Sequence, residues 1–589
     1  MSHRSPITCI DHHTGSDRTV TGGYDGRVVG WARDEAGRWQ AQWSADFDDL
    51  VNDVRIDPTG TSVAVAVADR FAVVLDMAHG ERTQIFGPHG DDVNAVRWSP
   101  DGSQLACVMD HLDTTVRIWP VRGGAATTLD GHESGVFAVA FDPAGTRVAT
   151  VAEDATARIW DLATGEQVHV LKHPGDPEAL DWSSDGSVVM TGCDDGVARV
   201  WDPETGDLVR ELDDAHAAVR FIRFDATGAW VLVGAYDARM RQYDTADWTV
   251  RESFARPFQW ERSGAFTDRG VLIGSFGAAP VEHPPAPLAE VPLTYGINSV
   301  AAAPSLLLAG RDDGGVVDVL RGSVLARHDT IVNTVSISPD RRLVASGDYR
   351  GGVRITRLDA TDDQGDIATI TDDGGPVNSI AWHPSGTHFF SGGYDGRVRR
   401  WSLDGTCTAS FVAHPGPIKS LAWSAAADLL VAGSSDGSLS GWRGDIEVWR
   451  SRASDLVLVN SVACADEAGW VVTASRDLRV RVWDAHTGEL VQTLPAAHLK
   501  SVKAIAIVPD GSLMVTGSYD GTAIVWHRDP SGSGASAWRW QPLRLHGKPG
   551  VPSVAIADGN VFSAGWNGTI GRWATDGRLT AEYLVDRIV

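Results

Sequence analysis

Several aspartates in this chain are followed six residues later by tryptophan, among them Asp154 to Trp160, Asp195 to Trp201, Asp395 to Trp401, Asp436 to Trp442, Asp477 to Trp483 and Asp520 to Trp526. Histidines and hydroxyl residues recur along the same stretches, and carboxylate, imidazole and hydroxyl are the parts of an acyl-transfer triad. A nucleophile site is singular and opens to a cleft with oxyanion donors. A set that recurs down the chain, with threonine as readily as serine, reads as structure instead. The sequence has no complete Walker motif, no GxGxxG leading from strand to helix, no HExxH and no calcium-loop spacing. Cys9, Cys107, Cys193, Cys407 and Cys464 are odd in number and far apart, which argues against a disulfide framework or a thiolate metal site. No carboxylate or cysteine spacing completes a metal site around His12-His13. Asn567-Gly568-Thr569 fits a glycosylation triplet, but Asn-Gly is also a tight hairpin turn and stands where Asp-Gly stands elsewhere. No catalytic residue, metal or cofactor is implied.

The elements that must position these groups are repeats. Counted from Asp25, the turn returns at Asp69, Asp113, Asp154, Asp195 and Asp237, then at Asp313, Asp395, Asp436, Asp477, Asp520 and Asn567. The two long intervals, Asp237 to Asp313 and Asp313 to Asp395, each hold one degenerate copy. The mean step is then about 42 residues, the length of a four-stranded propeller blade, and the count is fourteen blades. Within one copy, VFAVAF alternates as a strand, DPAG turns it, TRVATVA returns, EDAT turns again, ARIWDL forms a third strand and EQVHVLK the outer one. Such small sheets are apolar on both faces and need neighbours to cover them.

Trp160-Asp161, Trp201-Asp202, Trp483-Asp484 and Gly131-His132, with the near versions Ala215-His216, Ala413-His414 and Ala497-His498, carry a specific resemblance over essentially the whole chain. The sequence resembles the WD-repeat (WD40) β-propeller family. The resemblance implies an all-β fold of two tandem seven-bladed propellers with four-stranded antiparallel blades, an arrangement similar to actin-interacting protein 1. It also implies a buried network of histidine, second-strand hydroxyl, turn aspartate and third-strand tryptophan. By position these are His132, Thr150, Asp154 and Trp160; His173, Thr191, Asp195 and Trp201; His498, Thr516, Asp520 and Trp526; and His546, Ser563, Asn567 and Trp573. The groups would satisfy one another and let a sheet edge be buried without orphan polar atoms. Departures from the pattern include Leu75 and Tyr243 at the tryptophan place and a seventh copy, VLIGSFGAAPVEHPP, with no aspartate turn.

At 589 residues the chain exceeds one hydrophobic core. Pro280, Pro284, Pro285, Pro287 and Pro292 gather at the weakest copy, and proline cannot donate to a central ladder. The expected units are therefore residues 1–292 and 293–589. A net charge of −26, with 46 arginines, 5 lysines and no basic block, disfavours direct nucleic-acid binding. There is neither a charged start followed by an apolar run nor a stretch of roughly 20 apolar residues, so a soluble cytoplasmic chain without membrane insertion is expected. The arginine excess points to GC-rich coding and a bacterial source.

With no visible chemistry, the leading expectation is a non-enzymatic scaffold or recognition subunit, monomeric itself, that binds one or more proteins in a larger complex. Alternatives are a bacterial signalling or defence adaptor working with an ATPase, kinase or protease, an actin-associated double propeller, and an enzyme with a site in a channel or between propellers. By the resemblance, the turns between second and third strands line a protein-binding face. Tyr24, Tyr236, Tyr394 and Tyr519 precede the turn aspartate, Trp566 precedes Asn567, Tyr349 lies in the ninth copy, and Arg311 and Arg476 hold comparable places. Rigid aromatics and arginine are common interface anchors.

Overall fold

The computed structural model describes residues 3, 7–23, 25–110, 113–215, 218–235, 239–254, 259–275, 280–283, 296–359, 365–371, 375–452, 458–529, 537–544 and 550–585. Blade four shows how the sequence becomes a sheet. Its strands are Val136–Phe141, Arg147–Ala152, Thr156–Asp161 and Gln167–Lys172, paired antiparallel in chain order. The inner strands are small and β-branched because neighbours cover both faces, whereas the fourth strand is largely exposed. Asp142 closes the first hairpin: its carboxylate accepts the backbone N–H of Thr146 at 2.7 Å and of Arg147 at 2.8 Å, while Gly145 takes φ +68°.

Thirteen four-stranded antiparallel sheets and one three-stranded sheet are present among the described residues. The exception to the expected four strands is blade seven: Gln259–Thr267, Gly270–Ser275 and Val281–His283. Every sheet is built from strands consecutive in the chain, so neither ring borrows a strand from a terminus within the described residues. First strands of successive blades touch one another and line the axis of each ring. Blade one, beginning with Ile7–His13, meets blade seven, and blade eight, beginning with Ile297–Ala303, meets blade fourteen, beginning with Ser553–Ala557. This is how each ring of seven closes.

The core lies between blades rather than within them. Ala140, Val151 and Ile159 of blade four pack with Leu180, Trp182 and Trp201 of blade five, and Ile297 and Leu307 of blade eight pack with Phe562 and Ile570 of blade fourteen. The first ring adds an ion pair at its closure, Arg33 of blade one with Glu282 of blade seven. The chain forms two compact units, Met1–Thr294 and Tyr295–Val589. The expected boundary at 292/293 lies outside the described residues.

Candidate functional site

The recurrent groups form the hydrogen-bonded sets that the resemblance implies, with local departures. In blade four, His132 Nε2 meets Thr150 Oγ1 at 2.7 Å, Trp160 Nε1 donates to the same hydroxyl at 2.9 Å, and His132 Nδ1 meets Asp154 Oδ2 at 2.8 Å. Blade thirteen repeats this: His498 Nε2 to Thr516 at 2.8 Å, Trp526 to Thr516 at 3.0 Å, His498 Nδ1 to Asp520 at 3.1 Å. Burial raises the Asp154 carboxyl, but the bonds from His132, Thr156 and the Glu133 N–H more than offset it and hold Asp154 well below the usual carboxylate range. Each hydroxyl is buried and engaged twice, so it is no exposed nucleophile.

Blade five corrects the pattern. His173 and Trp201 each reach Thr191 at 2.8 Å, but Asp195 turns to Arg199, with its Oδ2 2.7 Å from Nη2, and His173 Nδ1 lies 3.1 Å from the Leu171 carbonyl oxygen. Arg199, four residues after the aspartate, holds the carboxylate here, whereas Arg158 at the same spacing in blade four stays 3.6 Å from Asp154 and leaves it to His132. Burial, then the Arg199 charge, pushes His173 down to about 4, against Asp195 and the Leu171 bond. Asp395 with Arg399 and Asp477 with Arg481 form the same pair. In blade fourteen Trp573 donates to Ser563 at 2.9 Å, but Asn567 Oδ1 accepts from Thr569 Oγ1 at 2.7 Å, and His546 lies outside the described residues.

Other sets escaped the sequence reading. His3, Thr21, Asp25 and Trp31 form a complete network in blade one. In blade eleven the hydroxyl comes from the third strand: Ser440 meets both His414 Nε2 and Trp442 Nε1 at 2.7 Å. Blade nine joins His328, Ser346 and Asp348 without a tryptophan.

A second device, also missed, joins blade to blade. Most first strands carry a bulge after their first residue, and the second residue is often asparagine, as in Val51-Asn52, Val93-Asn94, Val377-Asn378 and Val459-Asn460. Its Nδ2 donates to the first-strand carbonyl of the next blade: Asn52 to Val93 at 2.8 Å, Asn94 to Val136 at 3.1 Å, Asn378 to Ile418 at 2.7 Å, Asn460 to Val502 at 2.9 Å. The recurring Val-Asn was the available signal. In the second ring, third-position serines accept the next blade's N–H, Ser379 from Leu421 at 2.9 Å and Ser420 from Val462 at 3.0 Å.

The residues expected at the binding face divide by burial. Tyr394 and Tyr519 are half-buried at the turns between second and third strands. Lys419 donates to the Tyr394 hydroxyl at 2.9 Å and sits 4.2 Å from its ring centroid. Tyr519 lies beside Trp566, ring centroids 5.4 Å apart. Trp566 itself is buried and donates to Asn298 of the next blade at 2.9 Å, and Tyr349 is buried too. Arg311 is 1% exposed, ion-paired with Asp313 and donating to the Val585 carbonyl at 2.9 Å, so it supports the rim from beneath. Arg476 is half-buried; Tyr24 and Tyr236 lie outside the described residues. A side chain not anticipated is Leu499, 84% exposed in the loop entering blade thirteen. Its N–H donates to Asp520 at 2.9 Å, so the buried network fixes the loop that presents it.

The pattern of the family "WD domain, G-beta repeat" matches residues 1–31, 80–120, 123–161, 165–202, 206–244, 321–356, 366–402, 405–443, 452–484 and 488–527, well over half of the chain. The chain belongs to the WD-repeat family. It is 29% identical over 169 residues to the rice (Oryza sativa subsp. japonica) chromatin assembly factor 1 subunit FAS2 homolog, covering 26% of this chain and 32% of that protein. It is 26% identical over 173 residues to protein transport protein sec13 of Emericella nidulans, 24% of this chain and 56% of that one, and 36% identical over 101 residues to guanine nucleotide-binding protein subunit beta-1 of Nicotiana tabacum, 16% and 26%. The chain thus spans between a quarter and just over half of these relatives. They are plant and fungal and lend no support to the bacterial source. The propeller fold of this family is typical of non-catalytic interaction scaffolds. Among the described residues no helix is long and apolar enough to cross a membrane.

Proposed function

We propose that this WD-repeat protein is a recognition subunit that holds a protein partner on the face of its second ring where second strands turn into third. The observation that carries the reading is Leu499: a leucine 84% exposed, on a loop pinned by Asp520, beside the Tyr519 turn. Tyr519 and Tyr394 add rigid aromatic area, with Lys419 and Lys503 beside them. The named relatives are subunits of a chromatin assembly factor and a guanine nucleotide-binding protein and a transport protein, which supports assembly through the propeller without naming the complex. The test is capture from native lysate, identification by mass spectrometry and reconstitution from purified proteins. A Tyr394→Ala/Leu499→Ala/Tyr519→Ala variant that melts like the parent is expected to lose the partner. Retention with unchanged affinity rejects this face. Trp566 is left intact because its removal would also break the bond to Asn298.

A further inference from the structure

The fifth residue of the first strand separates the two rings. In the second ring it is alanine in six blades and serine, Ser336, in the other. In the first ring the same position holds Asp11, Arg55, Arg97, Asp181 and Arg223, with alanine, Ala140, in blade four. These charges lie at the end of the first ring where first strands turn into second, away from the turns that carry the tyrosines. Arg55, Arg97 and Arg223 line a cavity of about 290 Å³ there together with Trp98, with Asp11 and with Asp57, whose carboxylate accepts the Thr61 and Ser62 N–H groups. Trp98 is fixed by donating to the Arg55 carbonyl at 2.9 Å.

The acceptors of this cluster are engaged by the protein. Asp11 Oδ2 takes the Ile56 N–H at 2.8 Å, and its Oδ1 lies 3.5 Å from Arg223. Asp53 takes Arg97 at 2.6 Å and Arg55 at 3.1 Å, and Asp181 takes the Phe224 N–H at 2.9 Å. Donors are left over: Arg55 Nε and Arg223 Nη2 are buried and have no protein acceptor. Buried guanidinium N–H groups without acceptors are costly, and a planar or tetrahedral oxyanion is the ligand that satisfies several at once. The two arginines differ. Burial, then Arg97 and Arg223, pulls Arg55 down to about 10 against Asp53 and Asp11, whereas Arg223 is raised by Asp11, Asp181 and Asp53 despite its burial.

We propose that this cavity binds a small oxyanion, a phosphate- or carboxylate-bearing molecule seated on Arg55 and Arg223, so that the first ring carries a ligand site that the second lacks. The volume suits a compact metabolite at the low end of ligand pockets. The purified full chain is titrated calorimetrically with inorganic phosphate and with malonate at constant physiological ionic strength. Saturable binding of either supports the site, and the stronger of the two names the ligand's charged group. Arg55→Lys keeps the charge and removes Nε with the planar fork, so it is expected to weaken binding about tenfold or more while melting like the parent. No saturable binding of either probe to the unaltered protein overturns the proposal, independently of any variant. Unchanged affinity in a folded Arg55→Lys protein places the ion elsewhere and overturns it too.

Discussion

Each buried threonine at a network centre engages an imidazole and an indole at once, and this sets the cost of losing it. Thr150→Val leaves His132 Nε2 and Trp160 Nε1 without their shared partner; a loss of roughly 2–4 kcal/mol is expected, read as a lower urea midpoint at unchanged slope. Blade three makes the converse case. Cys107 occupies the hydroxyl position, and both nitrogens of buried His89 and the Trp119 Nε1 have no partner. Cys107→Thr supplies the missing oxygen and is expected to stabilise by about 1 kcal/mol; no gain would mean that the pocket cannot admit the extra methyl. Charge follows the same geometry. Burial and then Arg117 push His89 down to about 4, matching His173. A histidine depressed on folding must charge at acid pH, so its stability is complete above about pH 6.5 and lost as pH falls toward 4. Asp154, Asp436 and Asp520 are held below their unfolded range, so their share is present above about pH 4 and lost on further acidification. A urea midpoint followed against pH should fall in two stages, and a His89→Gln/His173→Gln variant should show a smaller first stage, the remainder coming from His12 and His388, which burial also lowers.

The blade depends on turn geometry as much as on strands. At the turn after the second strand, Gly196, Gly396, Gly437 and Gly521 take φ from +69° to +81°, whereas blade four has Ala155 at φ +57°. An L-residue there costs about 1–2 kcal/mol, against roughly 0.4–1 kcal/mol for the looser unfolded chain of a glycine. Ala155→Gly is therefore expected to stabilise by about 1 kcal/mol, measured by thermal or urea unfolding. The asparagine stitch belongs to this scale because it joins elements without adding apolar area. Asn378→Ala removes the donor to Ile418 and should cost about 1 kcal/mol, with faster amide exchange in the first strands of blades ten and eleven. Uniform exchange across the ring would show that the stitch is not local.

Each ring closes through its own first strands, and every described sheet is continuous in the chain. We propose that each unit is independently stable, because neither needs a strand from the other. Residues 295–589 made alone should stay monomeric and unfold in one cooperative step. The same fragment lacking blade eight, residues 295–328, uncovers the apolar faces of blades nine and fourteen and should aggregate. A full-length second unit that aggregates as readily would end the proposal.

The repeat, its length and the chemistry at its turns were legible in the sequence, because a propeller blade is local: four short strands, two hairpin turns, and a histidine, hydroxyl, aspartate and tryptophan within one copy. His132, Thr150, Asp154 and Trp160 could be placed together for that reason. What depends on competition in space was not legible. Arg199 holds Asp195 in blade five, whereas in blade four Arg158, also four residues after the aspartate, leaves Asp154 with His132, and Ser440 replaces a second-strand hydroxyl from across the hairpin. The tyrosine series was visible as spacing, yet whether an aromatic meets solvent or a neighbouring blade is decided by packing, which buried Trp566 and left Leu499 exposed. Contacts between blades are long-range by construction, so the asparagine stitches and the arginine-lined cavity of the first ring emerge only when seven first strands are gathered around one axis.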